Sequence, residues 1–459
     1  MEDCRWYRPK IHPVKHSGFI VAVSAVAALG GLLFGFDTAV ISGAIPYLKP
    51  FFHLDENRLG WAVGSLLIGC GAGALLAGRL ADRFGRRYLL IACAALFAVS
   101  GAGAGLSNSL TGFVTFRMIG GLGVGAAAMV SPMYIAETAP AAWRGRLVSL
   151  YQLAIVSGIL LAYFSNYLFN GFGANNWRWM FGSQVLPSFV FWVALLFVPE
   201  TPRWLAGKNL TAEAAAVLQK TIGNEAAAAE LASIERSFAT HAPASVREIF
   251  ATKYRPVLVV GVLIAVFQQV TGINAILYYA PTIFARTGLD TSSSLLQTLA
   301  IGAVNLLATF GAIGLVDKLG RKYLLMSGSA MMGCSLAAVA LCFHFSYFGG
   351  YVVLGLMLLY VAAFACTLGA VTWVYLSEVF PNRIRATAMS VATLALWLAD
   401  FVVTYTFPVM TERLSTAATL LSYAAFCAIA FVFVAFKVPE TKGRALEEVE
   451  SLFVKASGA

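Results

Sequence analysis

The sequence is poor in charge. Only 12% of its 459 residues are Asp, Glu, Lys or Arg, about half the share of a soluble domain. Basic residues outnumber acidic ones, 32 to 22, but they stand singly between apolar runs, which argues for membrane orientation and against nucleic-acid binding. The 7 cysteines are odd in number, fall mostly inside apolar runs (Cys70, Cys93, Cys334, Cys342, Cys366, Cys427, with Cys4 near the start) and match no ligand spacing. Neither a disulfide framework nor a metal site is expected, and no cofactor is called for. No G-x-x-x-x-G-K-[ST] loop occurs, so an ATP-driven pump is excluded. What the sequence has instead is apolar length: 59% hydrophobic residues and a mean hydropathy of +0.77. No soluble enzyme fits that composition, whereas an all-helical polytopic membrane protein does.

The stretch Gly18–Leu48 shows why. It is apolar for longer than a signal peptide allows, so it reads as a first membrane span. Asp37 interrupts it. A carboxylate inside a span costs several kcal/mol unless it is neutral, paired or facing a wet cavity. It is either a packing acid capped by a neighbouring helix or a proton site on a transport route. Gly30, Gly31, Gly35 and Gly43 flank it and allow helices, or a ligand, to approach the backbone closely.

Along the chain, residues 1–17 form a basic tail. Further spans are expected at Leu59–Gly78, two within 88–136 (the second containing Arg117), Leu147–Asn170 and Trp179–Pro199. Gly78–Arg87 reads as a tight charged turn. Residues 200–255 are charged and alanine-rich, with Val217, Leu218, Ile222, Leu231 and Ile234 as a buried stripe, and predict short helices in a linker. Six more spans follow: Pro256–Phe284, Leu295–Val316, Tyr323–His344, Tyr351–Ser377, Ala386–Met410 and Thr416–Phe436. The organisation expected is a tail (1–17), a six-helix bundle (18–199), a linker (200–255), a second six-helix bundle (256–437) and a second tail (438–459). Most Lys and Arg residues fall on one side, which places both termini in the cytoplasm of a cell carrying the protein in its inner or plasma membrane.

The halves are related. Asp82-Arg83-Phe84-Gly85-Arg86-Arg87 recurs as Asp317-Lys318-Leu319-Gly320-Arg321-Lys322. Glu137 and Arg144 recur, equally spaced, as Glu378 and Arg385, and Pro199-Glu200-Thr201 recurs as Pro439-Glu440-Thr441. Three matches in register argue for two pseudo-symmetric bundles with a substrate site at their interface, near the membrane midplane.

These residues carry a resemblance that runs nearly end to end. With G-R-L-A-D-R-F-G-R-R (78–87), P-E-T-P-R (199–203), Q-Q-V-T-G-I-N (268–274), V-D-K-L-G-R-K (316–322) and P-E-T-K-G (439–443), the chain resembles the sugar porters of the major facilitator superfamily, in particular the bacterial xylose, galactose and glucose proton symporters. The resemblance implies the major facilitator fold and alternating access by rocking of the bundles.

Within that frame, Asp82, Arg83, Arg86, Glu137, Arg144 and Glu200 in the first half, and Asp317, Arg321, Glu378, Arg385 and Glu440 in the second, are either a solvated positive-inside surface or an ion-pair latch that favours one conformation; the resemblance supports the latch. Exposed pairs contribute about 0–1 kcal/mol each, and a two-state transporter needs only a few kcal/mol of bias.

A sugar presents hydroxyls that donate and accept, and neutral amides answer both without a charge to desolvate. Gln268, Gln269 and Asn274 lie within seven residues of an apolar span, and a helix break at Gly272 would let them converge. They either glue helices or bind sugar; the resemblance assigns all three to sugar hydroxyls and carries over Gln152, Asn305 and Trp373. Phe34, Tyr278, Tyr279 and Trp397 are candidates for stacking on or gating the ring.

The chain departs from the family pattern at Leu396, where an amide is common, at Asp400, where Asn is common, and at Gly369-Ala370, where Gly-Pro is common. Asp400 reads as a second titrating group or a cavity acid paired by a cation.

The function expected is import of a monosaccharide, a hexose or pentose such as glucose, galactose or xylose, by proton symport. Asp37 takes the proton and Arg117 controls it. The alternatives are a passive facilitator, against which Asp37 argues, and a non-transporting sensor, against which the short tails argue. The partners expected are the sugar, the proton and the lipid bilayer, with the protein acting as a monomer.

Overall fold

A computed structural model describes residues 17–140, 142–240, 248–381 and 383–442. The expected tails lie mostly outside these residues. Twelve helices are long and apolar enough to cross a membrane. The first half contributes spans one to six: Gly18–Phe51, Glu56–Phe84, Arg86–Leu106, Leu110–Thr138, Arg144–Phe169 and Gly173–Leu196. The second contributes spans seven to twelve: Arg255–Ala285, Thr291–Leu319, Arg321–His344, Val352–Val379, Arg385–Arg413 and Thr416–Lys437. Between the halves, the helices Pro202–Gly207, Thr211–Ile222 and Asn224–Thr240 pack through Leu205, Ala206, Ala214 and Val217, with Leu231 and Ile234 against them. The side of the molecule carrying this linker is called the linker end below, and the opposite side the far end.

One expected loop is largely helix. Residues 78–84 continue the second span, because their Leu, Ala and Arg are good helix formers, and Asp82 pairs with Arg86 one turn on at 3.1 Å. Gly85 alone makes the turn: at φ +100° it caps one helix and opens the next. Gly320, at φ +89°, does the same between spans eight and nine.

Where helices cross, small residues let backbones touch. A Cβ on Gly121 or Gly125 of span four would overlap the carbonyls of Leu66 and Cys70 in span two, and one on Gly35 that of Ile155 in span five. In lipid such crossings gain dispersion energy rather than hydrophobic burial, so close approach is what holds the helices together. The glycines beside Asp37 are filled by neighbouring helices: Gly30 by Ser131 and Phe191, Gly31 by Tyr151, Gly43 by Asn166.

Three spans are discontinuous. Span six is interrupted at Ser183-Gln184, between Asn176–Gly182 and Val185–Leu196. Span seven breaks between Val270 and Ile273, with Gly272 at φ +94°. A side chain there would be strained by that φ and would press on the Tyr423 ring, 2.7 Å from the Cβ. Span ten contains a π segment, Ala365–Gly369, a device that frees a backbone carbonyl for another partner.

Contacts between the halves gather at the midplane and the far end. Gly60 of span two abuts the Tyr405 carbonyl of span eleven. Trp61 meets Phe401 edge-on at 6.2 Å, and the Tyr163 hydroxyl of span five donates to the Leu277 carbonyl of span seven at 2.8 Å.

Candidate functional site

Two carboxylates are sealed inside the spans. The first, Asp37, is fully buried, as is Arg117 of span four. The Arg117 Nη1 forms an ion pair with Asp37 Oδ1 and donates to the Asp37 backbone carbonyl at 2.9 Å. The guanidinium also lies 5.5 Å from the centre of the Phe181 ring. Charges taken from water must be repaid by their pairing, so removing one partner of such a pair is far more costly than never having had either. Among the described residues Asp37 Oδ2 makes no hydrogen bond of regular geometry, with the Gln184 amide of span six close to the carboxylate. Oδ2 faces Gly120, where a Cβ would come within 2.6 Å of it and would also overlap the Ser100 hydroxyl on the same side. One carboxylate oxygen is thus held by Arg117 and the other is not.

Gln184 escaped the sequence reading. Its amide approaches Asp37 from span six and donates to the Phe97 carbonyl at 3.3 Å. An amide in an otherwise apolar segment was the signal available for it.

The second carboxylate, Asp400, belongs to a cluster of amides at the break in span seven. Gln268 Nε2 donates to the Leu368 carbonyl, in the π segment of span ten, at 3.1 Å. Gln269 Nε2 donates to Gln268 Oε1 at 3.5 Å. Asn274 Nδ2 donates to Gln269 Oε1 at 2.8 Å and to Asp400 Oδ2 at 2.7 Å. The three amides of the Q-Q-V-T-G-I-N run therefore converge, and the left-handed turn at Gly272 brings Asn274 back beside Gln269. Phe34 and Trp397, from opposite halves, sit 5.7 Å apart with rings inclined at 52°.

The other expected sugar contacts are scattered in character. Gln152 is half-buried on span five, Asn305 is buried on span eight and Trp373 is 37% exposed on span ten. Tyr278 is buried. Tyr279 is turned away from ring stacking on a ligand: it is 1% exposed, donates its hydroxyl to the Thr404 carbonyl at 3.1 Å and stacks on Phe407 with centroids 4.8 Å apart. Its apolar ring gains more from that packing than from a partly wet position.

At the linker end each half carries the same knot. In the first, Arg86 pairs with Glu137 at 3.1 Å, and Glu200 accepts the backbone N–H groups of Arg86 and Arg87 at 3.1 and 3.0 Å. Thr201 donates to Glu137 at 2.7 Å. In the second, Arg321 pairs with Glu378 at 2.8 Å, Glu440 accepts the N–H groups of Arg321 and Lys322 at 2.9 and 3.0 Å, and Thr441 donates to Glu378 at 2.6 Å. Each knot ties three helix ends within one half. Burial pushes the Glu200 carboxyl up from its ordinary value, against the pull of its backbone donors. At Glu440 burial acts the same way, but four backbone N–H donors outweigh it and hold the carboxyl below that value.

Not every basic residue expected in the latch joins it. Arg83 is exposed and lies 5.1 Å from the Phe84 ring. Arg144 is exposed at the start of span five. Arg385 donates to the Phe380 carbonyl at 3.1 Å. The reason is helical phase: Arg86, not Arg83, follows Gly85 and faces span four. The side chain of Asp317 lies outside the described residues.

The family model for sugar (and other) transporters matches residues 23–453. The chain is a sugar transporter of the major facilitator superfamily. It is 40% identical to the arabinose-proton symporter of Bacillus subtilis over 95% of this chain and 96% of that one. To the D-xylose-proton symporter of Escherichia coli it is likewise 40% identical, over 95% and 96%. The E. coli xylose transporter in an inward-open conformation superposes with a TM-score of 0.85, covering 95% of this chain and all of that one. The same transporter bound to 6-bromo-6-deoxy-D-glucose superposes with 0.78.

Proposed function

We propose that this transporter imports a monosaccharide, a pentose or hexose, together with a proton, by alternating access. Its relatives include proteins named as arabinose-proton and D-xylose-proton symporters, and the observation that carries the coupling is the sealed Asp37–Arg117 pair. With Oδ1 held by Arg117 and Oδ2 outside that pair, the carboxylate accepts a proton on Oδ2 without first breaking the pair. The neutral acid then holds Arg117 less tightly, because Coulomb attraction across a dry interior falls when one charge disappears. Spans one and four are thereby released to shift relative to one another. The sugar lies between the halves, its hydroxyls met by Gln152, Gln268, Gln269, Asn274, Asn305 and Trp373, with Phe34 and Trp397 flanking it across the interface. The knots at the linker end keep each half rigid while the halves rock. The linker end faces the cytoplasm, a reading supported by the distribution of Lys and Arg, and the working unit is the monomer, supported by a site whose residues all come from one chain.

The test is uptake into proteoliposomes of labelled D-xylose, L-arabinose, D-glucose, D-galactose and D-fructose, with and without an imposed pH difference. Accumulation of at least one sugar above its external concentration, only when the outside is acidic, is expected. Equilibration without accumulation would identify a passive facilitator.

A further inference from the structure

The amide chain at the sugar site ends on a carboxylate, and that fixes its direction. Asn274 has two amide hydrogens, and both are committed: one to Gln269 Oε1, one to Asp400 Oδ2. What Asn274 has left to offer is its carbonyl oxygen, an acceptor. Asp400 is 0% exposed. Its other oxygen takes the Thr404 hydroxyl at 3.1 Å, and among the described residues no Lys, Arg or His pairs with it. An ionised carboxylate only accepts; a protonated one also donates. Once the Asp400 oxygen facing Asn274 carries a proton, its O–H is met by the Asn274 carbonyl, which requires the amide to turn over; Gln269 Oε1 then loses its donor, so Gln269 turns with it and gives up its 3.5 Å bond to Gln268, the longest in the chain of amides. Asn274 then presents N–H to the site in place of C=O.

We propose that Asp400 is a second proton-binding site, and that its proton inverts the hydrogen-bonding face that Asn274 shows to the sugar. The idea rests on the sugar-transport reading for its consequence, but the proton site stands on the geometry of Asp400, Asn274 and Thr404. The titratable groups around Asp400 are neutral ones. Cys70 of span two and Tyr278 of span seven lie within its electrostatic reach, Tyr279 bonds to the carbonyl of neighbouring Thr404, and Tyr423 of span twelve stacks beside span eleven on Phe407. Cys70 and Tyr278 are also within reach of Arg117, so the charge states of the two carboxylate sites are felt in one shared region. The proton is transferred from water to a carboxylate oxygen and returned to water; no bond other than O–H forms or breaks.

The experiment uses full-length protein in lipid nanodiscs carrying Asp37→Asn, which removes the other fully buried carboxylate of the spans. Infrared spectroscopy follows the C=O stretch of protonated carboxylic acids from about pH 5 to about pH 9, a range open to buried carboxyls. A titrating band is expected in Asp37→Asn and its loss in Asp37→Asn/Asp400→Asn. Should the double variant not fold, Asp37→Asn/Thr404→Val serves: losing a donor to the ionised form moves the band's midpoint to higher pH. Over the same range the affinity of Asp37→Asn for D-xylose, L-arabinose or D-glucose should change by at least about fivefold, the lower end of ordinary site-to-site coupling, and stay flat in the double variant. No titrating band in Asp37→Asn, or a band untouched by both second substitutions, overturns the proposal. A band that behaves as expected while none of these sugars binds overturns the sugar reading and leaves the proton site standing.

Discussion

Gln268 reaches from the seventh span to the Leu368 carbonyl of the tenth, at 3.1 Å, so the two interrupted helices are joined at the point where each loses its regular hydrogen bonding. A buried amide placed there is costly to remove. Gln268→Ala and Asn274→Ala should each weaken sugar binding by about 1–3 kcal/mol, the cost of leaving buried partners unmatched, which is about 5-fold to 150-fold in affinity. Tyr279→Phe should change affinity less than about twofold, because its hydroxyl and ring serve Thr404 and Phe407 rather than a ligand. Calorimetry on folded variants checks all three; a Tyr279 effect as large as that of Gln268 would place its ring in the site.

The knots predict an asymmetry between neighbouring arginines. Arg86 is 9% exposed and paired with Glu137, whereas Arg83 is exposed. Arg86→Ala should approach the roughly 3–5 kcal/mol lost when a buried pair is broken. Arg83→Ala should cost less than about 1 kcal/mol. Thermal unfolding in one detergent compares them, and equal losses would mean that the Glu137 pair contributes little.

Acidification should act on the two knots with opposite sign. The ordinary glutamate value is about 4.3; Glu200 titrates above its ordinary value and Glu440 below it. For Glu440, with a depressed folded value, the contribution to stability is present above the ordinary value and lost as pH falls through the folded one. For Glu200 the sign reverses: its folded value is raised, so proton uptake favours the folded state as pH falls. Hydrogen-exchange protection of Arg321, Lys322 and Thr441, corrected for the intrinsic rate, should therefore fall as pH is lowered, while that of Arg86, Arg87 and Thr201 holds. Simultaneous loss would contradict the difference in burial.

Much of this was legible in the sequence because the bilayer is a strict solvent. Twelve apolar runs had to be helices, since no other backbone satisfies its own hydrogen bonds in lipid. The repeated Asp-Arg-Phe-Gly-Arg-Arg and Pro-Glu-Thr motifs marked the two knots, and Gly272 marked the break that gathers the amides. What stayed hidden depends on helical phase and partner choice. Nothing local distinguishes Arg83 from Arg86 until Gly85 sets the direction of span three. Tyr279 and Tyr278 are adjacent and point to different surroundings. The π segment at Ala365–Gly369 has no composition signal, and the approach of Gln184 to Asp37 spans 147 positions (184 − 37 = 147).

The Asp37–Arg117 pair is the centre of the account, and one measurement addresses it directly: sugar accumulation in proteoliposomes carrying Asp37→Asn, under an imposed pH difference, alongside sugar exchange in the same vesicles. Asparagine keeps the size of the side chain and mimics the neutral acid. Accumulation above the external concentration should be abolished while binding and exchange persist. An Asp37→Asn protein that still concentrates sugar against its gradient would contradict it.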